Sequence, residues 1–303
     1  MAWETLMSAS ENIYAAMRQS EMCNWVGGGD PAVVGGCNFT SIIENLPLRR
    51  NDVVLDFGCG IGRTSVFLAE FLNEGGQVVG SDIVPGEIQF CREQFAHVFP
   101  NATFHCVNSS NPLYNDEVTA TQNATPAIDE ELFFSQYRDV FDMTVAFSVF
   151  THFNPTMAAH YLRSLRNVTK PSGHLFLTWF LDHPSNPTQF LGMPARLGAG
   201  ENFTDPKGNL TVALFSLAAV AELAADAGLL IERVSYGSWR GGGWPFAPVK
   251  GQHYQDIVIL RWALPSEFDA NTYLQIHQDV AAAGVDPVQH YLTHGYREGR
   301  CLR

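Results

Sequence analysis

One acid followed by three evenly spaced glycines forms the first group of residues that could do chemistry. Positions 54–63 read VLDFGCGIGR, which places Asp56 ahead of Gly58, Gly60 and Gly62. Glycines let a backbone turn sharply and approach a ligand without interference from a Cβ atom. A helix that begins after such a turn offers unpaired N–H groups. The carboxylate would repel a phosphate, so the pattern favours a ligand that carries a cationic amino-acid group.

The same stretch departs from two common nucleotide-binding motifs. A dinucleotide fingerprint, GxGxxG, would need glycine at position 63, where Arg63 stands. A phosphate-binding loop would need the triplet GK[ST], which this turn lacks. The residues therefore disfavour an NAD-dependent oxidoreductase.

A second carboxylate follows the next apolar run. Residues 78–82 read VVGSD, so the run ends at Asp82. A carboxylate in that position can accept hydrogen bonds at both of its oxygens. The alternative is that Asp82 only caps a helix that begins after Ile83 and Val84.

The elements that must position these residues alternate between strand and helix. Short apolar runs at 53–55, 77–83, 103–107, 143–150 and 174–181 are typical of buried strands, and helical spacing lies between them. This alternation predicts a parallel, doubly wound sheet. Ligands bind such sheets at the carboxyl ends of the strands, near the point where the strand order reverses.

Stretches rich in glycine and proline predict the connections. Residues 24–36, NWVGGGDPAVVGG, are too rich in glycine for a regular element and predict a loop. KPSG at 170–173 predicts a turn before the fifth strand, and 182–212 predicts another loop. Residues 108–140 are polar and predict an insertion with a short helix.

The acid and glycine stretch resembles the first motif of class I S-adenosylmethionine (SAM)-dependent methyltransferases. The likeness extends over about residues 20–264 and is greatest to a bacterial group of these enzymes. It is carried by VGGGD at 26–30, GSDIV at 80–84, SVFTHF at 148–153, KPSGHL at 170–175 and TWFLD at 178–182. The resemblance implies an α/β fold, a doubly wound seven-stranded Rossmann-like methyltransferase sheet.

The resemblance also implies that SAM is the cofactor and which residues contact it. In such enzymes the acid at the position of Asp82 bonds both ribose hydroxyls, and a residue at the position of Asn108 lies beside the adenine amine. The implied cofactor-binding set is Asp56, Gly58, Cys59, Gly60, Gly62, Asp82, Ile83, Asn108 and Ser148.

A general base is needed only when the acceptor must lose a proton, as a hydroxyl group does. His152, on the loop after the fourth strand, is the first candidate, because an unperturbed imidazole titrates near neutral pH. The alternative is a histidine that packs or hydrogen-bonds at the start of the next helix. Asp182 and His183, just past the fifth strand, are second candidates. The scattered histidines show no metal-ligand spacing, so we expect no metal.

Tryptophans on glycine-rich loops are candidates to cover the ligands. Trp25, with 27–29 and Asp30, is expected to form a flap over the cofactor. Trp239 and Trp244 are candidates to stack on a sugar or an aromatic ring of the acceptor. The aromatic residues of the fourth and fifth strands are expected to lie mostly in the core.

Charge and hydropathy restrict the classes of partner that the chain can bind. The 303-residue chain has 18 Lys+Arg against 31 Asp+Glu, a net charge of −13, so it lacks a basic face for a nucleic-acid backbone or an anionic membrane. No apolar run reaches the roughly 18 residues that span a bilayer, and no export signal is visible. Cysteines without CxxC pairs are typical of free thiols in a reducing compartment. We therefore expect a cytoplasmic protein that binds neither nucleic acid nor membrane.

The tail has a different character from the rest of the chain. Residues 268–300, FDANTYLQIHQDVAAAGVDPVQHYLTHGYREGR, resemble a short helical repeat of bacterial surface and glycan-related proteins. We predict a methyltransferase domain over 1–264 and a small helical C-terminal module over 265–303. The module is expected to dock a protein partner or a glycan, or else to act as a simple brace.

Together these features predict methyl transfer to a small-molecule or saccharide acceptor, on oxygen. The saccharide rests only on the likeness of the tail. One alternative is a non-catalytic SAM-fold protein that binds or scaffolds in glycan assembly, which the intact acid and glycine set disfavours. Another is an aminopropyl transferase, which would need acidic residues clustered near the fourth strand.

Overall fold

The computed structural model describes residues 3–24, 29–108, 127–187, 189–190, 193–194, 202–204, 210–241 and 253–302. Its strands are β1 (Val53–Phe57), β2 (Gln77–Asp82), β3 (Ala102–Asn108), β4 (Ala127–Asp129), β5 (Phe141–Ala146), β6 (Thr169–Asp182), β7 (Gln189–Phe190), β8 (Met193–Pro194), β9 (Asn202–Thr204), β10 (Leu210–Ser216), β11 (Leu229–Ser235) and β12 (Asp256–Trp262). Its helices are α1 (Trp3–Gln19), α2 (Pro31–Asn45), α3 (Arg63–Phe71), α4 (Pro85–Phe95), α5 (Glu130–Gln136), α6 (Pro155–Val168), α7 (Leu217–Asp226), α8 (Ala270–Ile276), α9 (Gln278–Ala283) and α10 (Pro287–His290).

Ten strands within these residues form one sheet. Their spatial order is β11-β12-β6-β5-β1-β2-β3-β4, with β10 beside β6 and β9 beside β10. The strands from β6 to β4 are parallel to their neighbours, whereas β12 runs antiparallel between β6 and β11. The predicted doubly wound α/β sheet is confirmed, and β4, β9 and β10 extend it beyond the seven strands predicted.

Helices cover both faces of this sheet. The core under α1 to α4 includes Ile42, Val66 and Phe176, and the core under α5 to α7 includes Leu162 and Leu177. Phe176 and Leu177 are neighbours in β6, so they face opposite cores, as the alternation of a strand requires. Side chains buried on both faces leave only the strand ends free to carry polar groups.

Helix α2 corrects the prediction of a loop over 24–36. The helix begins at Pro31, and the Asp30 side chain accepts hydrogen bonds from the first turn. A Cβ atom on Gly35 would lie 2.1 Å from the carbonyl oxygen of Arg63. Glycine in this segment therefore reflects close packing of α2 against α3 and not a loop.

The segment around β6 corrects two further predictions. The predicted turn at 170–173 is a bulge within one strand, because β6 pairs Thr169 with Phe141 and then shifts register to pair His174 with Met143. β6 also continues past the end of β5, and its last residues pair with β10. β9 lies within the region predicted to be a loop over 182–212, and β10 begins there at Leu210.

The predicted short helices of the tail are confirmed, with side-chain caps at Asp269 and Asp286. The module packs on the rest of the chain, since the Tyr296 and Trp262 rings lie 5.0 Å apart. Arg297 Nη2 also donates to the Asp139 carbonyl at 2.6 Å. The domain boundary at 264/265 stays a prediction. No helix in the described part of the chain has the length and apolar character needed to cross a membrane.

Candidate functional site

The loop between β1 and α3 is built by the three glycines of the motif. Gly58, Gly60 and Gly62 have φ values of 72°, 54° and 85°, in the left-handed region that favours glycine. The N–H of Gly60 donates to Asp82 Oδ2 at 2.9 Å, which ties the loop to the end of β2. The Cys59 thiol is buried and lies 3.6 Å from the Gly60 carbonyl oxygen. The structure therefore brings the predicted loop and the predicted second acid together.

Asp56 lies near the end of β1 and is 2% exposed. Its Oδ2 accepts a hydrogen bond from the Ser65 hydroxyl at 2.6 Å. Burial raises the pKa of Asp56 to about 6, and the charge of Asp82 adds to the increase, whereas Ser65 and Arg63 lower it. The positive charge near Asp56 is therefore too small to offset the cost of burying its ionised form, and a cationic ligand would stabilise that form.

Asp82 ends β2 with both carboxylate oxygens turned toward backbone donors. Oδ1 accepts from the N–H of Val84 at 3.0 Å, while Oδ2 takes the bond from Gly60. Burial raises the pKa of Asp82 despite these bonds. Each carboxylate oxygen can accept more than one hydrogen bond, so both retain acceptor capacity for a ligand. Ile83 follows directly, with its carbonyl oxygen 4.0 Å from the Cys106 thiol.

Glu87 is a third acid of this site, and the sequence reasoning missed it. It lies in the first turn of α4 and is 2% exposed. Burial and then the charge of Asp82 raise the pKa of Glu87 to about 9, so its carboxyl is neutral at pH 7. The available signal was its helical spacing from Cys91 and Phe95, which are both buried.

Ser148 lies just after β5 in an unusual backbone conformation. Its φ is 59°, in the left-handed region that residues with a Cβ rarely adopt. The Ser148 N–H donates to Thr178 Oγ1 at 2.8 Å, and its hydroxyl donates to Gln255 Oε1 at 3.0 Å. The next residue, Val149, touches the glycine loop, because a Cβ on Gly58 would lie 2.3 Å from Val149 Cγ2. The ends of β1 and β5 therefore meet at Ser148 and Val149.

His152 belongs to a short turn, Phe150–His152, that follows this contact. Its N–H donates to the Val149 carbonyl at 3.0 Å. Phe150 is buried against Trp179, whereas His152 is partly exposed. The turn thus places the backbone of His152 one hydrogen-bonded turn beyond the residue that touches Gly58.

The other predicted polar residues lie along the same edge. Asn108 is exposed at the end of β3, in register with Asp129 of β4. His183 follows β6, and its Nδ1 lies 2.6 Å from the Ser185 hydroxyl. Asp182 is the last residue of β6 and is partly exposed.

The predicted flap and aromatic platform need correction where the structure describes them. Asp30 caps α2 and receives a hydrogen bond of 2.6 Å from Arg18 Nε, so it belongs to the helix and not to a flap. Trp239 is 1% exposed, and its indole N–H donates to Asp256 at 3.1 Å, so it cannot stack on an acceptor. Trp25 and Trp244 lie outside the described residues.

The residues at the end of β1 and β2 fit SAM. Two carboxyl groups with raised pKa values flank a glycine loop whose left-handed φ values and close contacts with Val149 and Phe95 exclude larger residues. Asp56 suits the cationic amino-acid group, and Asp82 suits the ribose hydroxyls. No group of three or more histidine, cysteine or acidic residues in the described part of the chain is arranged as a metal site.

Comparison with known proteins agrees with this geometry. Residues 48–183 match a protein family described as a methyltransferase domain. Among solved structures, the 1,6-didemethyltoxoflavin N1-methyltransferase of Burkholderia thailandensis is 15% identical, with 87% of this chain and 92% of that chain covered and a TM-score of 0.49. A SAM-dependent methyltransferase from Aquifex aeolicus is 16% identical, with 76% and 93% covered and a TM-score of 0.45. A mitomycin 7-O-methyltransferase is 13% identical, with 86% and 67% covered and a TM-score of 0.47. Likenesses this distant identify neither an acceptor nor a site residue.

The matched segment contains β1, the glycine loop, β2, His152 and all of β6. The two acids and the glycine loop that fit SAM therefore lie inside the segment that the family defines. Residues 48–183 therefore match a methyltransferase domain in the part of the chain that contains the predicted SAM-binding residues.

Proposed function

We propose that this enzyme transfers the methyl group to an oxygen of a small-molecule acceptor and that His152 is the general base. The observation that carries the proposal is the position of His152. Its backbone is bonded to Val149, and Val149 touches Gly58 of the cofactor loop. The backbone of His152 is therefore held next to the glycine loop, which supports the proposal.

The chemistry divides between binding and proton transfer. When bound, SAM supplies a methyl group that is already electrophilic on its sulfonium sulfur. Asp56 and Asp82 hold the cofactor, and the ends of β5 and β6 orient the acceptor hydroxyl. His152 would accept the hydroxyl proton as the acceptor oxygen bonds the methyl carbon and the carbon–sulfur bond breaks, with its electron pair returning to sulfur to leave neutral S-adenosylhomocysteine. No charged group is then left on the acceptor oxygen.

The test is a comparison of turnover and cofactor binding in His152→Ala. We expect kcat to fall by about 10²–10⁴-fold, the usual contribution of a general base. SAM affinity, measured by calorimetry, should stay within twofold of the wild type, whereas Asp82→Ala should lose binding as a positive control. His160→Ala is the matched control, since His160 lies on α6 in a surface pair with Glu130. Wild-type turnover in His152→Ala would remove His152 as the base.

The acceptor class is tested by a panel that contains small hydroxylated molecules, amines and saccharides. Methylation of a hydroxyl group supports the proposal, and a saccharide product would support the glycan association of residues 265–303. Transfer only to nitrogen would contradict it. A protein partner of residues 265–303 and a cytoplasmic location remain proposals that rest on the sequence.

A further inference from the structure

A chain of hydrogen bonds crosses the site through a histidine that the reaction does not use. Asn38 Nδ2 donates to Thr64 Oγ1 at 2.9 Å, and Asn38 Oδ1 lies 3.1 Å from His253 Nε2. The N–H of Gln255 donates to His253 Nδ1 at 3.1 Å. The Gln255 side chain in turn accepts from the Ser148 hydroxyl at 3.0 Å. We call these five residues, Thr64, Asn38, His253, Gln255 and Ser148, the relay.

The hydrogen-bond partners assign one tautomer to His253. The Asn38 oxygen that faces Nε2 can only accept, so the ring proton is on Nε2 and is donated to Asn38. Nδ1 lies 3.1 Å from both the backbone nitrogen and the carbonyl oxygen of Gln255, and in this tautomer it accepts from the N–H. Loss of hydration lowers the pKa of His253 to about 4, so the ring is neutral at pH 7. A neutral ring with one donor and one acceptor matches the two groups that face it. The ring also packs near Phe147, at 5.6 Å between centroids.

The two ends of the relay lie at the two loops that flank the cofactor site. Thr64 is in the first turn of α3, directly after the glycine loop. Ser148 has the left-handed φ of 59° at the end of β5. Residues held in such conformations persist only where their surroundings fix them, and they cluster at functional sites. Gln255 and Thr178 are the two groups that fix Ser148.

The elements joined by the relay are distant in sequence. Asn38 lies in α2, His253 precedes β12, and the two are 215 positions apart. Asn38 is 7% exposed, and its side chain bonds both Thr64 of α3 and His253. A single imidazole therefore links α2 and α3 on one side with the β5 loop on the other.

We propose that His253 is a positioning residue that couples the cofactor loop to the end of β5 through the relay. Its Nε2–H fixes Asn38 and Thr64, and its Nδ1 fixes Gln255 and hence Ser148. The inference concerns cofactor binding and does not depend on His152 or on the acceptor. When the relay is broken, Ser148 is free to relax from its left-handed conformation and Thr64 loses its fixed partner.

The experiment measures SAM and S-adenosylhomocysteine affinity by calorimetry in His253→Ala, His253→Gln and His253→Asn. We expect His253→Ala to weaken both ligands by about tenfold to hundredfold, which is about 1.4–2.7 kcal/mol. Gln places an amide donor near the position of Nε2, so His253→Gln should recover most of the affinity. His253→Asn is too short to reach Asn38, so it should resemble His253→Ala. His97→Ala, an exposed histidine, is the matched control.

Three results would decide against the proposal. His253→Ala could bind SAM within twofold of the wild type, or His253→Gln could lose as much affinity as His253→Ala, which would indicate a packing role. Losses of affinity that add fully in the double variant Asn38→Ala/His253→Ala would also contradict it, since members of one relay should not act independently.

If His253→Ala does not fold, the difference in SAM affinity between His253→Gln and His253→Asn still tests the proposal. Loss of turnover in His152→Ala with unchanged SAM affinity would leave this inference untouched.

Discussion

Asp56 near the end of β1 and Asp256 at the start of β12 are both buried at the carboxyl edge of the parallel strands, but their surroundings differ. Asp56 has one side-chain hydrogen bond, from Ser65, and burial raises its pKa to about 6. Asp256 is fully buried and surrounded by donors. They are the Leu181 N–H and the Gly237 N–H, each at 2.7 Å, the Trp239 indole at 3.1 Å and the Arg240 guanidinium, whose Nη2 lies 3.0 Å from Oδ2.

The contrast separates an acid whose charge is compensated within the chain from one whose charge is not. The bonds of Asp256 are completed within the chain, and Arg240 compensates its charge, so no ligand is needed. Among the described residues no cation contacts Asp56 directly, although the charge of Arg63 lowers its pKa, so we expect a cationic ligand to compensate it. Burial alone does not distinguish the two acids, whereas the hydrogen-bond partners do.

The largest effect is expected from Asp256→Asn. The change leaves the buried Arg240 guanidinium without its counter-charge, and breaking such a pair costs about 3–5 kcal/mol. Urea unfolding should show this loss in the free energy of unfolding, with Asp226→Asn on the exposed face of α7 as the control. The double variant Asp256→Asn/Arg240→Gln should recover part of it. A loss of unfolding free energy no greater than in Asp226→Asn would contradict the structural role of Asp256.

Asp56→Asn should raise the free energy of unfolding of the protein without cofactor, whereas Asp256→Asn should lower it. The folded pKa of Asp56 is about 6, above the ordinary value of 3.8. A raised pKa in the folded state gives stability that is complete below about pH 4 and is lost as the pH rises through 6. The total is about 3 kcal/mol, at 1.36 kcal/mol for each unit of pKa. Relative to the wild type, the variant should therefore gain stability between pH 4 and pH 7.

Unfolding midpoints of the wild type and of Asp56→Asn between pH 4 and pH 8, without SAM, measure this difference. SAM affinity at pH 7.5 should fall at the same time, because the neutral amide no longer attracts a cationic group. An unchanged pH dependence would contradict the raised pKa. Unchanged SAM affinity would show that Asp56 does not face the cation.

The smallest effect is expected from Trp239→Phe. The change removes one of the donors to Asp256 and keeps most of the aromatic packing against Phe180, at 5.1 Å between centroids. Loss of one hydrogen bond with the acceptor still partly bonded should cost about 1–2 kcal/mol of unfolding free energy. SAM affinity should not change. A large loss of SAM binding here would mean that the Asp256 network belongs to the ligand site.

The predictions that were confirmed rest on residues that lie close together in the sequence. Asp56, Gly58, Gly60 and Gly62 occupy one turn, so their spacing already encodes the left-handed backbone. The helix caps at Asn154 and Asp269 depend on local residues in the same way, because each lies within three residues of the N–H that it binds. The alternation of short apolar runs with helical spacing predicted the sheet for the same reason, since each of these patterns is local.

The errors came where a partner element decides the outcome. Gly35 and Gly36 suggested a loop, but they lie in a helix whose neighbour α3 is too close for a Cβ atom. The KPSG segment suggested a turn, but pairing of Thr169 and His174 with β5 on either side keeps it within β6 as a bulge. Trp239 suggested an acceptor platform, but Asp256 buries it.

By itself, the sequence determined the order of strands and helices, the glycine turn with its preceding acid, and the second acid at Asp82, since each depends on neighbouring residues. Tertiary structure alone decided that Asp56 is short of positive charge while Asp256 is compensated. It also decided that Asn38, Thr64, Ser148 and His253 meet. Electrostatic compensation and long-range hydrogen bonds depend on which atoms are brought within about 3 Å, and residues 215 positions apart carry no local signal of that contact.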